Sequence, residues 1–181
     1  MTHQLVIENI RKIRKAIPEI ESKIKVKISF KGNVVFIKGS ELNEFIVEKI
    51  LTAIDFGFDV EDALILANKD FNLEFINIKD HTPRKNLTDV RARLIGKSGK
   101  AKRTIETLTG GLIVVNSNMV GLIIDSEHLS AGIQGIISLI QGSKHGNVFS
   151  YLEKQNANLN SIKLNSEDLG LRNPEKDLGN L

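Results

Sequence analysis

Cysteine is absent from the 181-residue chain. Without it the chain can form no disulfide framework, thiolate metal site or cysteine nucleophile. Long apolar runs are also missing, since none approaches the roughly 18 residues needed to span a bilayer. The N-terminal residues Met1 to Val6 show no signal-peptide pattern. We therefore expect a cytoplasmic protein with no membrane partner.

Histidine is sparse as well. The chain has four histidines, which are His3, His81, His128 and His145. They are far apart in the sequence and lack the spacing that is typical of metal ligands. Neighbouring carboxylates occur, but adjacency alone does not indicate acid–base chemistry. We therefore predict no metal site, no cofactor and no catalytic activity, and we expect His145 to end a helix.

Basic residues are concentrated in one segment. Between Arg84 and Arg103 the chain has eight basic residues and a single acid, Asp89. This segment carries +7 and the rest of the chain −4, since the whole chain carries +3. Such an uneven distribution indicates one surface that faces a polyanion. The alternative interpretation is an ordinary solvated helix face.

The pattern of elements repeats. The order strand, helix, helix, strand, strand, helix occurs once in residues 1–54 and again in residues 71–141. A period this long with only two copies indicates tandem domains rather than a solenoid. The strands in each copy are too few for a doubly wound sheet. A three-stranded sheet with helices on one face is therefore the predicted α+β architecture of each copy.

Periodicity predicts the individual elements. Apolar residues spaced by three and four predict helices, whereas alternation of polar and apolar residues predicts strands. The predicted helices cover residues 10–17, 18–22, 41–53, 60–68, 87–95, 99–109, 126–141 and 148–155. The predicted strands cover residues 5–7, 25–30, 34–37, 71–78, 112–115 and 120–124.

The chain changes character after Asn156. Asparagines and scattered charges follow, without aromatic residues or periodicity. Such a segment cannot bury enough apolar surface to order itself, so we predict a disordered C-terminal tail. The predicted division is a first domain over residues 1–70, a second over 71–155 and a tail over 156–181.

The sequence from Arg93 to Arg103 predicts a helix, a four-residue break and a second helix. Gly96 and Gly99 allow backbone conformations that other residues avoid, and they let a ligand come close. The restarting helix directs its free N–H groups into the break, which suits a phosphate. A nucleotide P-loop is excluded, because Arg91 stands where its first glycine is required and because a helix rather than a strand leads in.

Residues 95–110, followed by Gly111 and the strand Leu112–Val115, resemble the KH domain. In that family a Gly-x-x-Gly loop grips the backbone of about four nucleotides beside an apolar groove for the bases. The strand has none of the aromatic side chains with which an RRM stacks bases. The predicted RNA-binding residues are Arg93, Ile95, Gly96, Lys97, Ser98, Gly99, Lys100, Lys102, Arg103, Ile113 and Val115.

The resemblance extends to a particular group of KH proteins. Residues 93–110, Phe56–Ala63 and His145–Phe149 are similar to segments of the archaeal and eukaryotic KH proteins of small-subunit ribosome maturation. This resemblance implies two tandem type I KH domains that bind small-subunit rRNA near its 3′ end. It also implies a PIN-domain endonuclease and the α subunit of translation initiation factor 2 as partners. Two other functions stay open, a protein-interaction adaptor in translation initiation and another KH regulator of RNA.

The first repeat departs from the family pattern. No glycine lies between Met1 and Lys31, and Ala16-Ile17-Pro18-Glu19 stands where the loop would fall. A loop of this composition cannot bring its backbone close to a phosphate as glycines do. We therefore predict a KH fold without the clamp, which serves as a scaffold or as a protein-binding face.

Overall fold

A computed structural model describes the backbone of residues 3–168 and the side chains of residues 4–163. The strands are β1 His3–Val6, β2 Val26–Lys31, β3 Val34–Gly39, β4 Phe71–Asn77, β5 Leu112–Asn116 and β6 Met119–Asp125. The helices are α1 Ile10–Lys23, α2 Glu41–Phe56, α3 Val60–Leu64, α4 Leu87–Ile95, α5 Lys100–Thr109, α6 Leu129–Gln141 and α7 His145–Asp168. Short 3₁₀ turns cover Ile65–Ala67, Ile78–His81 and Lys97–Gly99. No helix within residues 3–168 has both the length and the apolarity needed to cross a bilayer.

The strands form two antiparallel sheets of three strands each. Their orders are β1-β3-β2 and β4-β6-β5, so the last strand of each half lies in the middle. In the first sheet Val35 is aligned with Leu5 on one side and Phe30 on the other. On β3 the buried residues Val35 and Ile37 alternate with half-buried ones, so a slip by one position would turn them away from the core. The predicted α+β class, with two three-stranded sheets and helices, is confirmed.

The first core lies between one face of the first sheet and helices α1 and α2. Helix α1 buries Ile13, Ala16 and Ile20 on this face. The sequence predicted a break at Pro18, but α1 continues through the proline without interruption. A proline inside a helix costs about 3 kcal/mol. Buried residues lie on both sides of Pro18, so packing against the core keeps the helix continuous there. The prediction of two helices is therefore corrected to one.

The second sheet is covered on both faces. Alternate residues of β6 pack beneath helices α4 to α7. Ile123, which faces the other way, packs into the core of the first half. A Cβ atom added at Gly121 would lie 2.7 Å from Phe56 Cε1 and 2.8 Å from Phe58 Cε2, so the two rings press directly on the strand. The sequence predicted helices on one face only, whereas the first half of the chain supplies the second layer.

Helix α7 continues past residue 155, where the sequence predicted its end. Two contacts with the start of α6 accompany the extension. His128 Nε2 lies 3.5 Å from Asn156 Oδ1, and Lys163 Nζ lies 2.6 Å from a carboxylate oxygen of Glu127. The first part of the predicted tail is therefore helical, and its remainder, residues 169–181, lies outside the described residues.

Candidate nucleic-acid interface

The loop between α4 and α5 has an unusual backbone. Gly96 ends α4 with φ 73° and ψ 174°, and its N–H donates to the Ala92 carbonyl at 2.8 Å. Ser98 has φ 52°, a left-handed value that is uncommon for a residue with a side chain. Gly99 has φ 77° and directly precedes α5. Three of the four loop residues therefore adopt positive φ, which turns the chain sharply and leaves the N-terminus of α5 at the loop.

The two glycines are needed for different reasons. A Cβ atom on Gly96 would lie 2.7 Å from both Ala101 Cβ and Ala101 N, so glycine lets the first turn of α5 pack against the end of α4. A Cβ atom on Gly99 would meet no atom within 4 Å. Gly96 thus serves the fold, whereas Gly99 leaves open space in front of a helix N-terminus. Open space of this kind admits a phosphate.

Lys97 and Lys100 supply positive charge at this opening. Both side chains are exposed, and neither has a hydrogen bond or an ion pair within the described part of the chain. The helix dipole of α5 adds partial positive charge at the same place. Two uncompensated cations at a helix N-terminus form a local positive potential that favours an anionic ligand.

Arg103 and Lys102 hold the loop and its helix in place. The Arg103 guanidinium donates to the Ser98 carbonyl at 2.8 Å, across the turn. Lys102 Nζ lies 3.4 Å from Glu106 Oε1 in a half-buried ion pair one turn along α5. Both residues were predicted to bind RNA. The structure places them beside the loop, where Arg103 stabilises the left-handed conformation of Ser98.

Arg93 points away from the loop. Its guanidinium donates to the carbonyl of Gly142 at 3.0 Å and to the carbonyl of Ser143, in the turn between α6 and α7. His145 Nε2 lies 2.9 Å from the backbone carbonyl of Arg93, so α7 contacts α4 in return. The sequence predicted an RNA contact for Arg93. That contact stays a prediction, while the hydrogen bonds to the carbonyls of Gly142 and Ser143 give Arg93 a positioning role at the end of α6.

Arg91 also makes internal contacts. Its guanidinium donates to the Ser117 carbonyl at 3.2 Å and to Asn118 Oδ1 at 3.1 Å, which ties α4 to the turn between β5 and β6. The basic segment predicted from the sequence is therefore divided. Arg91 and Arg93 stabilise the fold, whereas Lys97 and Lys100 leave positive charge at the loop and at the first turn of α5.

The three apolar residues that were predicted to line the groove differ in their exposure. Ile95, the residue before the loop, keeps 38% of its surface exposed, and Val115 on β5 is half-buried. Ile113 is 4% exposed and packs in the second core, so little of its side chain is accessible for the predicted contact with bases. Its position on the sheet explains this, because alternate residues of β5 face the helices.

Glu106 was missed by sequence reasoning. Its Oε1 accepts the Ile113 N–H at 2.8 Å on the open edge of β5, so a carboxylate lies between α5 and the edge strand. The first half repeats this contact, since Glu21 Oε1 accepts the Ile28 N–H at 2.8 Å. The signal was present in the sequence. In both halves an Ile-Glu pair occurs near the end of a helix, and the glutamate lies seven positions before the strand isoleucine whose N–H it accepts.

A group of possible metal ligands lies at the start of α6. Ligand atoms of Asp125, Glu127 and His128 lie within 4.8 Å of one another. His128 Nδ1 is already 2.8 Å from an Asp125 carboxylate oxygen, and Glu127 pairs with Lys163. The Asp125 carboxylate also accepts the amide hydrogens of Glu127 and His128. These contacts are those of a turn that leads into a helix.

Comparison with known proteins agrees with this geometry. Residues 72–157 match a family model for the second KH domain of Pno1, described as a eukaryotic-type KH domain of type I. A KH domain-containing protein from Methanocaldococcus jannaschii is 32% identical over 143 residues, which cover 76% of this chain and 63% of the relative. The pre-rRNA-processing protein pno1 of Emericella nidulans is 26% identical, over 73% of this chain and 55% of its own.

One solved structure is similar over most of its length. A chain of the a/eIF2alpha–aDim2p–rRNA complex from Pyrococcus horikoshii superposes with a TM-score of 0.77 at 29% identity, covering 87% of this chain and 95% of that chain. The present chain spans less than two thirds of the two curated relatives named above. Together these findings show that residues 72–157 match a type I KH domain, and that the chain is similar to proteins of the Pno1/Dim2 type over most of its length.

Proposed function

We propose that the protein binds single-stranded RNA through the GKSG loop, residues 96–99. The observation that carries this proposal is the pair of uncompensated lysines, Lys97 and Lys100, at the open N-terminus of α5. Gly99 leaves room for a phosphate there, and the exposed Ser98 supplies a hydroxyl donor. Ile95 and Val115 offer apolar contacts for bases next to the loop.

The proposed RNA is small-subunit rRNA near its 3′ end, during ribosome maturation in the cytoplasm. Relatives named for pre-rRNA processing support this choice, as does the rRNA in the Pyrococcus complex. The protein acts by binding and carries out no reaction of its own. Its proposed partners are a PIN-domain endonuclease and the α subunit of translation initiation factor 2, and the second of these is supported by the same complex.

The two halves of the chain have different proposed functions. We propose that the chain contains two tandem type I KH domains, in residues 1–70 and 71–155. Both sheets have the same strand order, which supports the assignment. In the first half α1 runs from Ile10 to Lys23 without a break, so no glycine loop is formed there. The first half is accordingly a scaffold or a protein-binding face.

Reversal of charge at the loop tests the RNA proposal. The double variant Lys97→Asp/Ser98→Asp places two carboxylates where phosphates are proposed to lie. We expect its affinity for an rRNA 3′-end fragment to fall by about a hundredfold or more, since charge-assisted contacts are lost and repulsion is gained. Fluorescence anisotropy with the full chain measures this. For the wild type, four phosphate contacts give a slope of roughly −3 in log K against log salt.

A matched control distinguishes the loop from general charge. Ser150→Asp/Lys154→Asp makes the same charge change on the exposed face of α7. We expect this control to bind RNA within about threefold of the wild type, because its charges lie outside the loop and are screened by salt. Equal affinities of the loop variant and the control would refute the clamp. Preference for the 3′-end fragment over an unrelated fragment of equal length tests the choice of rRNA.

A protein-interaction adaptor is the second candidate function. The initiation factor subunit in the Pyrococcus complex favours it. A pull-down of the cognate α subunit by wild-type protein, with and without ribonuclease, tests this function separately. Binding that survives ribonuclease and also survives in the loop variant would support an adaptor function alongside RNA binding.

A further inference from the structure

From α1 onwards, elements of the first half recur in the second half at an offset of 85 residues, whereas β1 and β4 are related by a smaller offset and α4 has no counterpart among the described residues of the first half. Glu21 and Ile28 make the same side chain to amide contact as Glu106 and Ile113. The same offset relates the first residues of the helices that follow α2 and α6, since α3 begins at Val60 and α7 begins at His145. Helix α3 is therefore the counterpart of the first turns of α7.

The two counterpart helices differ greatly in length. Helix α3 and its 3₁₀ turn end at Ala67, and the chain then turns into β4. The equivalent of Ala67 is Leu152, which lies in the first third of α7 and packs in the second core. Beyond it, α7 continues along the start of α6 and contacts Glu127 and His128. The first half contains no such continuation among the described residues.

A groove lies in the first half where the continuation of α7 lies in the second. The cavity measures about 300 Å³ and is lined by Lys23, Ile24, Lys25, Asn43, Ile46 and Ala67. Asn43 is the equivalent of His128, against which α7 packs. Beside the groove, Leu42 is 67% exposed and Phe45 is 51% exposed. Positions 42, 45, 46 and 49 form a stripe with the spacing of a helix-docking face, in which Leu42 and Phe45 are exposed and Ile46 and Lys49 are half-buried.

The charged residues that line this groove, among those the structure describes, are Lys23 and Lys25. Lys49 Nζ lies 4.5 Å from the centre of the Phe45 ring, at the end of the stripe. Within the described part of the chain, Lys23 pairs with Glu19 at 3.1 Å, whereas Lys25 and Lys49 form no ion pair there. A segment that covers the groove therefore gains most if it carries acidic residues at its margins.

We propose that this groove on α1 and α2 binds an amphipathic helix of a partner protein, with apolar residues on one face and acidic residues beside them. Helix α7 shows in the same molecule that a helix fits on the equivalent face of α5 and α6. Leu42 and Phe45 provide the apolar contact, and Lys25 and Lys49 meet the acidic margin. The proposal does not depend on RNA binding by the loop.

A synthetic helical peptide with leucines at positions i, i+3 and i+7 and flanking glutamates serves as the probe. A second peptide has lysines in place of the glutamates. Anisotropy with the full chain should show that the acidic peptide binds at least about tenfold more tightly than the basic one. Phe45→Asp and Leu42→Asp should each weaken binding by about tenfold or more, since they place a charge at the centre of the contact.

Ile162→Asp is the matched control, because Ile162 is equally exposed, at 63%, but lies on α7. It should bind the acidic peptide as the wild type does. Equal binding by Phe45→Asp and the control would overturn the proposal, and so would absence of binding to either peptide. RNA affinity of the same variants should stay unchanged. Loss of RNA binding in the loop variant with retained peptide binding separates the two sites.

Two other occupants of the groove are distinguished in the same experiment. If sedimentation shows a dimer that Phe45→Asp dissociates, a second copy of the chain occupies the groove and the proposal fails. If deletion of residues 169–181 raises the affinity for the acidic peptide by about tenfold, the chain's own C-terminus occupies it, which also contradicts the proposal. A monomer whose peptide affinity is unaffected by the deletion supports it.

Discussion

His145 Nε2 lies 2.9 Å from the backbone carbonyl of Arg93, and this contact joins the first residue of α7 to the last turn of α4. Arg93 returns hydrogen bonds to the turn that precedes α7. Helix α4 leads directly into the GKSG loop. The orientation of the loop therefore depends on a reciprocal contact with a part of the chain 50 residues away in sequence.

Replacement of His145 tests the importance of this contact. His145→Ala removes a hydrogen bond to a helix-end carbonyl, and it also removes the ring packing on Phe149 at 5.8 Å. We expect the free energy of unfolding to fall by about 1–2 kcal/mol. Urea denaturation measures the loss. His81→Ala is the control, because the His81 side chain has no hydrogen bond in the described part of the chain, and an equal loss there would contradict the role of His145.

The two loop glycines should respond differently to alanine. Gly96→Ala combines a positive φ with a Cβ that would lie 2.7 Å from Ala101, so we expect it to cost about 2–4 kcal/mol of stability. Gly99→Ala has the φ strain but open space, so about 1 kcal/mol is expected. Chemical denaturation of both variants gives the comparison. Losses of the same size would show that the packing of α5 against Gly96 has no energetic weight.

Gly121 tests the packing of the two halves. An added methyl group would collide with the rings of Phe56 and Phe58 at 2.7 and 2.8 Å. We expect Gly121→Ala to lower the unfolding free energy by about 1–3 kcal/mol. Gly146→Ala, whose Cβ would meet nothing within 4 Å, should be neutral or slightly stabilising in α7. Thermal unfolding reports both changes, and a neutral Gly121→Ala would show that the rings of Phe56 and Phe58 move aside at little cost.

The carboxyl group of Asp125 should make stability depend on acidity. Partial burial raises the pKa of this carboxyl group. The hydrogen bonds from the His128 side chain and amide, together with electrostatic attraction to His128, outweigh burial and bring the pKa below its ordinary value of 3.8. A carboxyl with a lowered pKa stabilises the fold fully above the ordinary value and loses that contribution as the pH falls through its folded pKa. We expect Asp125→Asn to be less stable than the wild type at neutral pH.

The pH dependence of this difference is the measurement. The gap in unfolding free energy between the wild type and Asp125→Asn should shrink as the pH falls below about 4. Asp80→Asn is a comparison variant on an exposed 3₁₀ turn. A gap that widens as the pH falls would contradict the direction of the Asp125 pKa shift.

We expect Glu106 to stabilise the fold through the oxygen that accepts the Ile113 N–H, rather than through its charge alone. Glu106→Gln keeps an oxygen that can accept the Ile113 N–H, whereas Glu106→Ala leaves that amide without its partner. We expect the alanine variant to lose about 1 kcal/mol of stability and the glutamine variant less than half of that. Hydrogen exchange at the Ile113 amide checks the local effect. Equal protection in the two variants would show that the carboxylate does not cover the strand edge.

Much of the local structure follows from the sequence alone. Alternating residues in Lys25–Phe30 and the apolar spacing of residues 87–95 predicted a strand and a helix, because these periods decide which side chains share a face. Gly96 and Gly99 located the loop, since only glycine adopts positive φ at little cost. The clamp candidate was therefore identified without any tertiary information.

Tertiary packing decided which charged and apolar residues are available to a ligand. Arg93 and Ile113 belong to the predicted site by sequence position, yet one bonds to a distant turn and the other lies in the core. Pro18 remains inside a helix because residues on both sides of it are buried together. Sequence specifies periodicity and backbone freedom, which are local properties. The partner of a side chain depends on long-range contacts, and only the folded chain determines them.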